Sequence, residues 1–473
     1  MGTPPVLIAG AGPAGLTAAY ELTQAGLTVD VHEADHTVGG IARTETHHGY
    51  RFDIGGHRFY TKVDEIERLW REWLGPELLE VPRLSRIFYE GQFYAYPLQL
   101  PNVVRNLGIM ESARMTSSYL RARLQPSMPE ETLEDWVVNR FGQRLYETFF
   151  KTYTEKVWGL PCNVIRADWA AQRIRGLSFT RAVSHAIFGG GRTTSLVGRF
   201  VYPRLGPGQM WEKAAALVTE AGSDVHLHSR VVALHHRDGR IVEATVESGA
   251  ERRTMPVSDV ISTMPLPALV AALTPAVDAQ TLQAAAGLRF RDFLIVVLIV
   301  NRRELFPDNW LYIHSPDVRV GRIQNFKNWS AAMVPDPSTT SLGMEYFCST
   351  DDDVWGRSER DLIAMASAEI DTLGLAPAAA IVDGCVIRQP KAYPVYDDAY
   401  RQHVERIRQT LSRFTNLQTV GRNGMHRYNN QDHSMLTGLL AARNVLGEGH
   451  DLWDVNTERS YYEEQQVARE RAG

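Results

Sequence analysis

Six residues near the start of the chain have the types and spacing of a phosphate-binding turn: Gly10, Ala11, Gly12, Pro13, Ala14 and Gly15. They follow a short apolar run and precede a stretch with helical periodicity. In such a turn Gly10 allows a tight bend, Gly12 lets the backbone approach a pyrophosphate, and Gly15 lets helix and strand pack closely. The free N–H groups that begin the helix favour an anion. The segment therefore predicts a dinucleotide-binding turn.

An acidic residue stands where such a turn needs one. Glu33 follows the glycines by about 20 residues and closes a second apolar run that begins at Val29. A carboxylate at this point can accept hydrogen bonds from ribose hydroxyls. The strand, helix and strand form a β-α-β unit with short loops. Together these features predict a Rossmann-type domain.

The next segment resembles a known cofactor motif. Residues 38–44 read Val-Gly-Gly-Ile-Ala-Arg-Thr, which resembles the Gly-Gly-x-x-Arg-Thr segment of FAD-binding proteins in the amine oxidase and protoporphyrinogen oxidase superfamily. The resemblance implies that FAD is the dinucleotide and that Gly40 and Arg43 contact it. No covalent attachment motif is visible in the sequence, so non-covalent binding is expected.

Two further segments resemble the UDP-galactopyranose mutase family within this superfamily. Residues 52–61, Phe-Asp-Ile-Gly-Gly-His-Arg-Phe-Tyr-Thr, are similar to the histidine loop that places a His beside the flavin in that family. The resemblance implies flavin contacts for Gly55, Gly56 and His57. Residues 156–159, Lys-Val-Trp-Gly, are similar to the family's Lys-x-Trp-Gly segment.

The C-terminal part of the chain shows the best match to the UDP-galactopyranose mutase family. Gly421 and Arg422 are followed by Arg-Tyr-Asn-Asn-Gln-Asp over residues 427–432, with the spacing of the family's last motif. In the family, the arginine lies by the flavin, the tyrosine meets the substrate diphosphate, and the next segment closes over FAD. The resemblance implies further cofactor contacts at Val232, Gly421, Arg422, Asn430, Gln431 and Asp432. Two departures are the Gly-Gly-His-Arg loop and a Gln-Asp pair in place of Met-Asp.

The same resemblance implies a substrate site that binds a nucleotide diphosphate sugar. Arginine suits a phosphate because its planar guanidinium makes two parallel hydrogen bonds. His57, Arg289 and Arg422 are the predicted catalytic residues. The predicted substrate-binding residues are Tyr153, Trp158, Arg199, Arg289, Arg322, Tyr346 and Tyr428.

The predicted fold is α/β, with a Rossmann-type FAD-binding domain made of discontinuous segments and a substrate-binding lobe of mixed sheet and helices. The expected FAD segments are residues 1–80, 201–285 and 401–473, with a helical substrate lobe at 81–200 and a sheet lobe at 286–400. A hairpin turn is expected at Asp238-Gly239, because this dipeptide favours two-residue turns between strands. The apolar run near Phe293–Val300 reads as a buried strand.

Composition narrows the class of protein. The 473 residues carry a formal net charge of -5, which argues against a nucleic-acid binder. The three cysteines are far apart, and the paired histidines His47-His48 and His235-His236 would point to opposite faces of a strand. No disulfide scaffold and no metal site is therefore predicted. The longest apolar run is shorter than the roughly 20 residues of a membrane span, so a soluble cytoplasmic protein without membrane insertion is expected, and a homodimer is left open.

Two reactions agree with these motifs. The favoured one is a pyranose–furanose mutase reaction, in which the N5 atom of reduced flavin attacks the anomeric carbon of a nucleotide sugar. The alternative is an oxidase or dehydrogenase of the amine oxidase or protoporphyrinogen oxidase type, which moves a hydride to FAD. A flavin-bound regulatory protein without turnover is a third class. A diphosphate-binding set of arginines is the feature that distinguishes the mutase.

Overall fold

The computed structural model describes residues 4–96, 98–165, 167, 195–196, 198–456 and 464–465. The chain divides into two compact units, each assembled from three separated stretches. The first unit comprises Met1–Leu79, Val201–Arg291 and Gln389–Thr457. The second comprises Glu80–Phe200, Asp292–Arg388 and Glu458–Gly473.

The described strands, in chain order, are β1 Val6–Ala9, β2 Val29–His32, β3 Thr44–His47, β4 Tyr50–Asp53, β5 Leu78–Pro82, β6 Ser85–Tyr89, β7 Gln92–Ala95, β8 Ser195–Leu196, β9 Arg199–Pro203, β10 Asp224–His226, β11 Ser229–Arg237, β12 Arg240–Ser248, β13 Glu251–Pro256, β14 Val260–Ser262, β15 Leu273–Thr274, β16 Phe290–Val300, β17 Trp310–Ile313, β18 Arg322–Asn325, β19 Thr340–Cys348, β20 Ile381–Pro394, β21 Leu417–Thr419 and β22 Glu464–Gln465.

The described α-helices are α1 Pro13–Gln24, α2 Asp64–Leu74, α3 Leu100–Leu124, α4 Leu133–Phe141, α5 Gln143–Tyr146, α6 Thr152–Trp158, α7 Gly208–Glu220, α8 Leu266–Ala272, α9 Ala279–Ala286, α10 Phe326–Trp329, α11 Glu359–Thr372, α12 Tyr400–Leu411 and α13 Gln431–Val445. A turn of π-helix, Glu147–Lys151, joins α5 to α6.

A five-stranded parallel sheet forms the centre of the first unit, in the order β10-β2-β1-β14-β21. All four residues of β1 are buried, as a continuous apolar run requires when both faces of a parallel sheet are covered. The predicted β-α-β unit is therefore present as β1, α1 and β2. The carboxyl ends of the parallel strands are where such sheets bind ligands.

A second sheet of the first unit has the order β13-β12-β11-β15. The predicted turn at Asp238-Gly239 joins β11 to β12, and both residues have positive φ, +50° and +74°. These angles suit a two-residue hairpin turn, in which Gly carries no Cβ penalty. The hairpin prediction is confirmed.

The second unit is a seven-stranded sheet with helices packed against it. The strand order is β20-β16-β19-β18-β17-β6-β7, and β16 continues into this unit from the end of the first. Residues 292–300 of β16 are all buried, so the run Phe293–Val300 is the buried strand that its apolarity predicts. Helices α3 to α6 share a hydrophobic cluster with β6 and β7. The predicted fold class is confirmed.

The described helices include none that combines the length and the apolar character needed to cross a membrane.

Candidate functional site

The glycine-rich turn lies between β1 and α1, at the carboxyl end of the central strand. Gly10 has a φ of +106°, and a Cβ atom there would lie 2.0 Å from Oγ1 of Thr263. A Cβ at Gly15 would lie 1.9 Å from the carbonyl oxygen of Gly10. The fold itself therefore requires glycine at positions 10 and 15. Pro13 begins the helix, and Ala14 is buried behind it.

Unlike Gly10 and Gly15, Gly12 is not required by the fold itself. Its φ of -77° suits any residue, and the nearest heavy atom to a Cβ built there is Cα of Gly40, at 3.9 Å. Neither backbone conformation nor protein packing excludes a side chain at this position. Because Gly12 is the N-cap of α1, its bare Cα leaves the helix N-terminus uncovered, as a pyrophosphate needs.

A second pair of glycines lies against this turn. The N–H of Gly39 donates to the carbonyl of Ala11 over 2.8 Å. A Cβ at Gly40 would lie 3.4 Å from Cα of Gly12. The two glycine segments, which the sequence separates by a helix and a strand, thus form one surface made of backbone.

The carboxylate of Glu33 is fixed at the end of β2. Its Oε2 accepts a hydrogen bond from the N–H of Ala11 (2.7 Å), and its Oε1 accepts one from the N–H of Asp35 (2.9 Å). These bonds hold the acid beside the glycine turn, where the sequence predicts the ribose to bind.

Arg43 is buried and makes several protein contacts. Its Nε donates to Glu45 (2.6 Å), and its Nη1 donates to the carbonyl of Gly40 (3.0 Å) and to Gln389 (2.9 Å). The structure thus shows Arg43 bracing the Gly40 backbone. Its predicted direct contact with the cofactor stays a prediction.

The predicted histidine loop follows β4. Gly55 is buried with a φ of +96°, Gly56 is exposed, and His57 is half-buried. The carbonyl of His57 lies 3.4 Å from Nε2 of Gln431, whose Oε1 accepts from the indole N–H of Trp211 (3.2 Å). Gln431, a predicted cofactor residue, therefore connects the histidine loop to the start of α13.

A buried acid that the motif comparison did not single out supports this loop. Asp53 accepts hydrogen bonds from the hydroxyl of Tyr202 and from Thr44 (3.1 Å). Burial raises the pKa of Asp53 to about 8. An acid between the apolar residues Phe52 and Ile54 was the available signal, but its partner Tyr202 is distant in the sequence.

Arg422 lies one residue after the point where the C-terminal segment reaches the glycine turn. A Cβ at Gly421 would lie 3.2 Å from Cβ of Ala14. The guanidinium of Arg422 donates to the carbonyls of Asn429 (3.0 Å) and Ala392 (3.2 Å) and lies over the ring of Tyr428, 4.6 Å from its centroid. The structure thus brings together Arg422 and Tyr428, which were predicted as a flavin-side and a substrate-side residue.

Tyr428 is half of an aromatic pair. Its ring stacks on Tyr393 with centroids 5.7 Å apart and planes 12° apart. Nothing in the sequence around Tyr393 indicated this role. Asn429 is buried and donates to the carbonyl of Gly421 (3.1 Å), so it fixes the loop that carries the pair.

The remaining predicted residues of the first unit lie at the start of a helix, at a β-bulge and just before a strand. Asn430 caps α13 in a reciprocal arrangement with His433, and Asp432 in the first turn is buried. Val232 falls at a β-bulge, between the ladder pairs of Val231 and Ala233. Arg289 is exposed just before β16.

In the second unit, Tyr153 belongs to an aromatic cluster. Its ring stacks on His314 with a centroid distance of 4.9 Å and an angle of 5°, and it meets Tyr312 edge-on at 5.5 Å. Burial lowers the pKa of His314 to about 3, so this imidazole is neutral at pH 7. Trp158, at the end of α6, packs partly buried against the helical core.

The lysine of the Lys-Val-Trp-Gly segment has a structural task. Nζ of Lys156 donates to the carbonyls of Ile313 (3.4 Å), Ser315 (2.7 Å) and Val320 (3.2 Å). Burial lowers its pKa to about 8. These bonds fasten α6 to the end of β17.

Three predicted substrate residues of the second unit have protein partners of their own. Arg322 pairs with the fully buried Glu345 at 2.5 Å. Tyr346 lies in the hydrophobic core, 2% exposed, with its hydroxyl 3.0 Å from Glu369. Arg199 is exposed and lies 3.6 Å from Glu80. In this structure Tyr346 is a core residue and does not line a surface.

A family model described as flavin containing amine oxidoreductase matches residues 13–367. The chain belongs to this flavin-containing amine oxidoreductase family. The backbone surface formed by Gly12 and Gly40, beside the carboxylate of Glu33, is where the sequence predicts the cofactor to bind. The protein is therefore a flavoenzyme.

Individual relatives in the family point to two kinds of reaction. The chain is 26% identical over 176 residues to a probable UDP-galactopyranose mutase of Klebsiella pneumoniae, covering 34% of this chain and 44% of that protein. It is 28% identical over 154 residues to protoporphyrinogen oxidase 2, chloroplastic/mitochondrial, of Arabidopsis thaliana, covering 30% of each. The matched region spans less than half the length of either relative.

Solved structures resemble this flavoenzyme over nearly its full length. A crystal structure of reduced UDP-galactopyranose mutase matches with a TM-score of 0.83 and 21% identity, covering 97% of this chain and 100% of that one. A putative protoporphyrinogen oxidase from Exiguobacterium sp. 255-15 matches with a TM-score of 0.71 and 16% identity, covering 94% and 99%. At these identities the matches establish the fold.

The open position at Gly12 gives a direct test of the cofactor site. We expect Gly12→Val to fold but to lose flavin, because the added Cβ makes only an ordinary contact, 3.9 Å from Cα of Gly40, and the side chain would occupy the predicted pyrophosphate position. Visible flavin absorbance of the purified protein measures occupancy, and far-UV circular dichroism measures folding. Gly449→Val is the matched control, since a Cβ at Gly449 meets nothing within 4 Å. Full flavin content in the position 12 variant would show that the cofactor lies elsewhere.

The raised pKa of Asp53 predicts a pH dependence of stability. An ordinary Asp titrates near pH 4, so between about pH 4 and 8 the folded state holds a proton that the unfolded state has released. The free energy of unfolding must then fall as pH rises through this window. We expect Asp53→Asn to flatten the fall, measured as thermal midpoints between about pH 5 and 8. The exposed Asp224→Asn should retain the wild-type slope; equal slopes in all three proteins would contradict the assignment.

Proposed function

We propose that the protein is an FAD-dependent mutase that interconverts the pyranose and furanose forms of a nucleotide diphosphate sugar, with FAD held non-covalently. The observation that carries the proposal is the placement of Arg422. Its guanidinium lies over the ring of Tyr428. The preceding residue, Gly421, lies so near the glycine turn that a Cβ built there would be 3.2 Å from Cβ of Ala14. A permanent positive charge thus lies near the glycine turn that we propose holds FAD.

The charge of Arg422 favours one substrate class over the other. An alkylamine is cationic at neutral pH, as the side chain of Lys is with its pKa of about 10.4, and a neighbouring guanidinium would repel it. A nucleotide diphosphate is anionic and accepts the parallel hydrogen bonds that a guanidinium offers. The likeness to reduced UDP-galactopyranose mutase supports the same class.

The residues of this chain have separate tasks in the proposed reaction. A reduced flavin, when bound, supplies the electron-rich N5 nucleophile toward the anomeric carbon. Gly12 and Glu33 hold the pyrophosphate and ribose of FAD. Arg422 and Arg289 bind the diphosphate, stabilise the charge it gains as the bond to the sugar breaks, and keep it near for its return.

The loop around His57 positions the flavin side of the site. Gln431 holds the His57 carbonyl, and Tyr202 and Thr44 hold Asp53 at the start of the loop. The loop therefore rests on side chains that are themselves fixed by packing. Tyr428, stacked on Tyr393, presents a ring and a hydroxyl beside Arg422.

The redox state needed for turnover distinguishes the two reactions of the family. In the proposed reaction the sugar leaves at the oxidation level at which it enters, so reduced flavin is needed but not consumed. We expect UDP-galactopyranose, the first probe, to leave oxidised enzyme yellow under anaerobic conditions and to yield furanose only after dithionite is added. Absorbance and product chromatography from one cuvette report both. Bleaching by the sugar nucleotide alone, with a matching amount of oxidised product, would indicate a dehydrogenase.

The diphosphate contacts can be tested without turnover. Charge-assisted hydrogen bonds contribute about 1.5–3 kcal/mol each, so Arg422→Ala and Arg289→Ala should each weaken UDP binding by about 10-fold or more. Flavin fluorescence or calorimetric titration measures the dissociation constant. Arg413→Ala, which removes an exposed arginine of the same unit, should leave it unchanged. Failure of the wild type to bind UDP would remove the nucleotide-sugar substrate and leave the oxidase chemistry.

A further inference from the structure

Two histidines and an aspartate converge at the edge of the parallel sheet, apart from the residues assigned above. Asp30 and His32 are alternate residues of β2, so their side chains lie on one face. His226 stands opposite His32 on β10. This cluster could not be predicted from the sequence, because His226 reaches β2 only through the parallel pairing of the two strands.

The distances within the cluster are close to those between the ligands of a bound ion and slightly shorter. Oδ1 of Asp30 lies 3.1 Å from Nε2 of His32 and 2.9 Å from Nε2 of His226. The three candidate ligand atoms all lie within 4.8 Å of one another. Zinc bonds of about 2.0–2.1 Å in a tetrahedron place ligand atoms roughly 3.4 Å apart.

The directions of these groups also suit a shared ion. Oδ1 of Asp30 and Nε2 of His32 are both shielded from solvent and lie 3.1 Å apart, but the angles between them are outside those of a regular hydrogen bond. A donor and an acceptor at this distance form a hydrogen bond when they point at each other. Metal ligands instead point at a common centre between them.

The surroundings fix the histidines in place. Nδ1 of His32 lies 2.8 Å from Oγ of Ser229, and a proton on Nδ1 leaves the Nε2 lone pair directed into the cluster. The rings of His32 and His226 stack with centroids 4.8 Å apart. Asp30 has a further charged neighbour, Arg253. Arg253 faces the other carboxylate oxygen, 3.7 Å away, and is 64% exposed.

We propose that Asp30, His32 and His226 bind a divalent cation of the zinc class. Imidazole nitrogen and carboxylate oxygen are ordinary zinc ligands, and three protein ligands leave a fourth position for water. The half-exposed side chain of His226 gives the ion a path from solvent.

Backbone hydrogen bonds connect the proposed ion site to Glu33, the residue predicted to bind the ribose of the cofactor. The N–H of Glu33 donates to the carbonyl of His226 (2.8 Å), and the N–H of Ser229 donates to the carbonyl of Glu33 (2.7 Å). An ion that ties β10 to β2 therefore stabilises the strand end from which Glu33 projects. The ion has a structural role, so its binding does not depend on which reaction the flavin performs.

The test is zinc binding by the purified, flavin-loaded full chain after dialysis against a chelator. Competition with a chromophoric chelator should give about one zinc ion per chain and a rise in thermal midpoint as zinc is added. His226→Ala should weaken binding by at least about 100-fold, because even indirect metal partners contribute 10–100-fold. His226→Gln and Asp30→Asn are second variants that retain polar groups at the sheet edge.

His450→Ala is the matched control. His450 also faces a carboxylate, Glu448, at 2.5 Å, but among the described residues that pair does not belong to a three-residue cluster of candidate ligands. Its variant should bind zinc as the wild type does. Absence of zinc binding by the wild type, or equal binding by the His226 and His450 variants, would overturn the proposal and leave an ordinary aspartate–histidine ion pair.

Discussion

The first unit depends on how closely the backbone of other segments approaches the beginning of α1. Side chains are excluded there by distance: a Cβ at Gly15 would meet the carbonyl oxygen of Gly10 at 1.9 Å, and a Cβ at Gly438 would meet that of Ala14 at 2.1 Å. The second contact fixes α13 against α1 over the same turn. These contacts hold the N-terminal turn and the C-terminal segment together, so that Gly421 and Arg422 reach the cofactor side of the sheet.

Positive charge in this protein serves two different purposes. Lys156 donates to the carbonyl of Ser315, and the buried Arg43 donates to the carbonyl of Gly40 and to the side chain of Gln389, so both cations join segments that are remote in the sequence. Arg422 also donates to carbonyls, but its guanidinium carries three nitrogens, and those two bonds involve Nε and Nη1. Its flat face rests on Tyr428. A cation fixed in this way is oriented before any ligand arrives, which reduces the entropy that binding must cost.

Local features of the fold could be predicted from the sequence. The β-α-β unit, the Asp238-Gly239 hairpin and the buried strand near Phe293–Val300 each depend on a few neighbouring residues, and each is present. The Asp53–Tyr202 pair could not be predicted in this way, because strand pairing and helix packing decide which distant side chain meets a buried acid. The same holds for Tyr393 under Tyr428. Some roles, such as that of Tyr346, were predicted from resemblance alone. The position of a residue in a motif does not indicate whether its side chain faces the core.

The discontinuous construction of the first unit has a consequence for synthesis on the ribosome. The central strand β1 emerges early, but its neighbour β14 follows some 250 residues later, and β21 and α13 come from the last stretch of the unit. Because domains generally fold as units while the chain is made, one edge of β1 must wait for its partner while the intervening residues are synthesised. The first unit can close around the glycine turn only after β21 and α13 have emerged. A growing chain therefore exposes unpaired parallel strands, the species that chaperones bind, and a newly made protein acquires its flavin late.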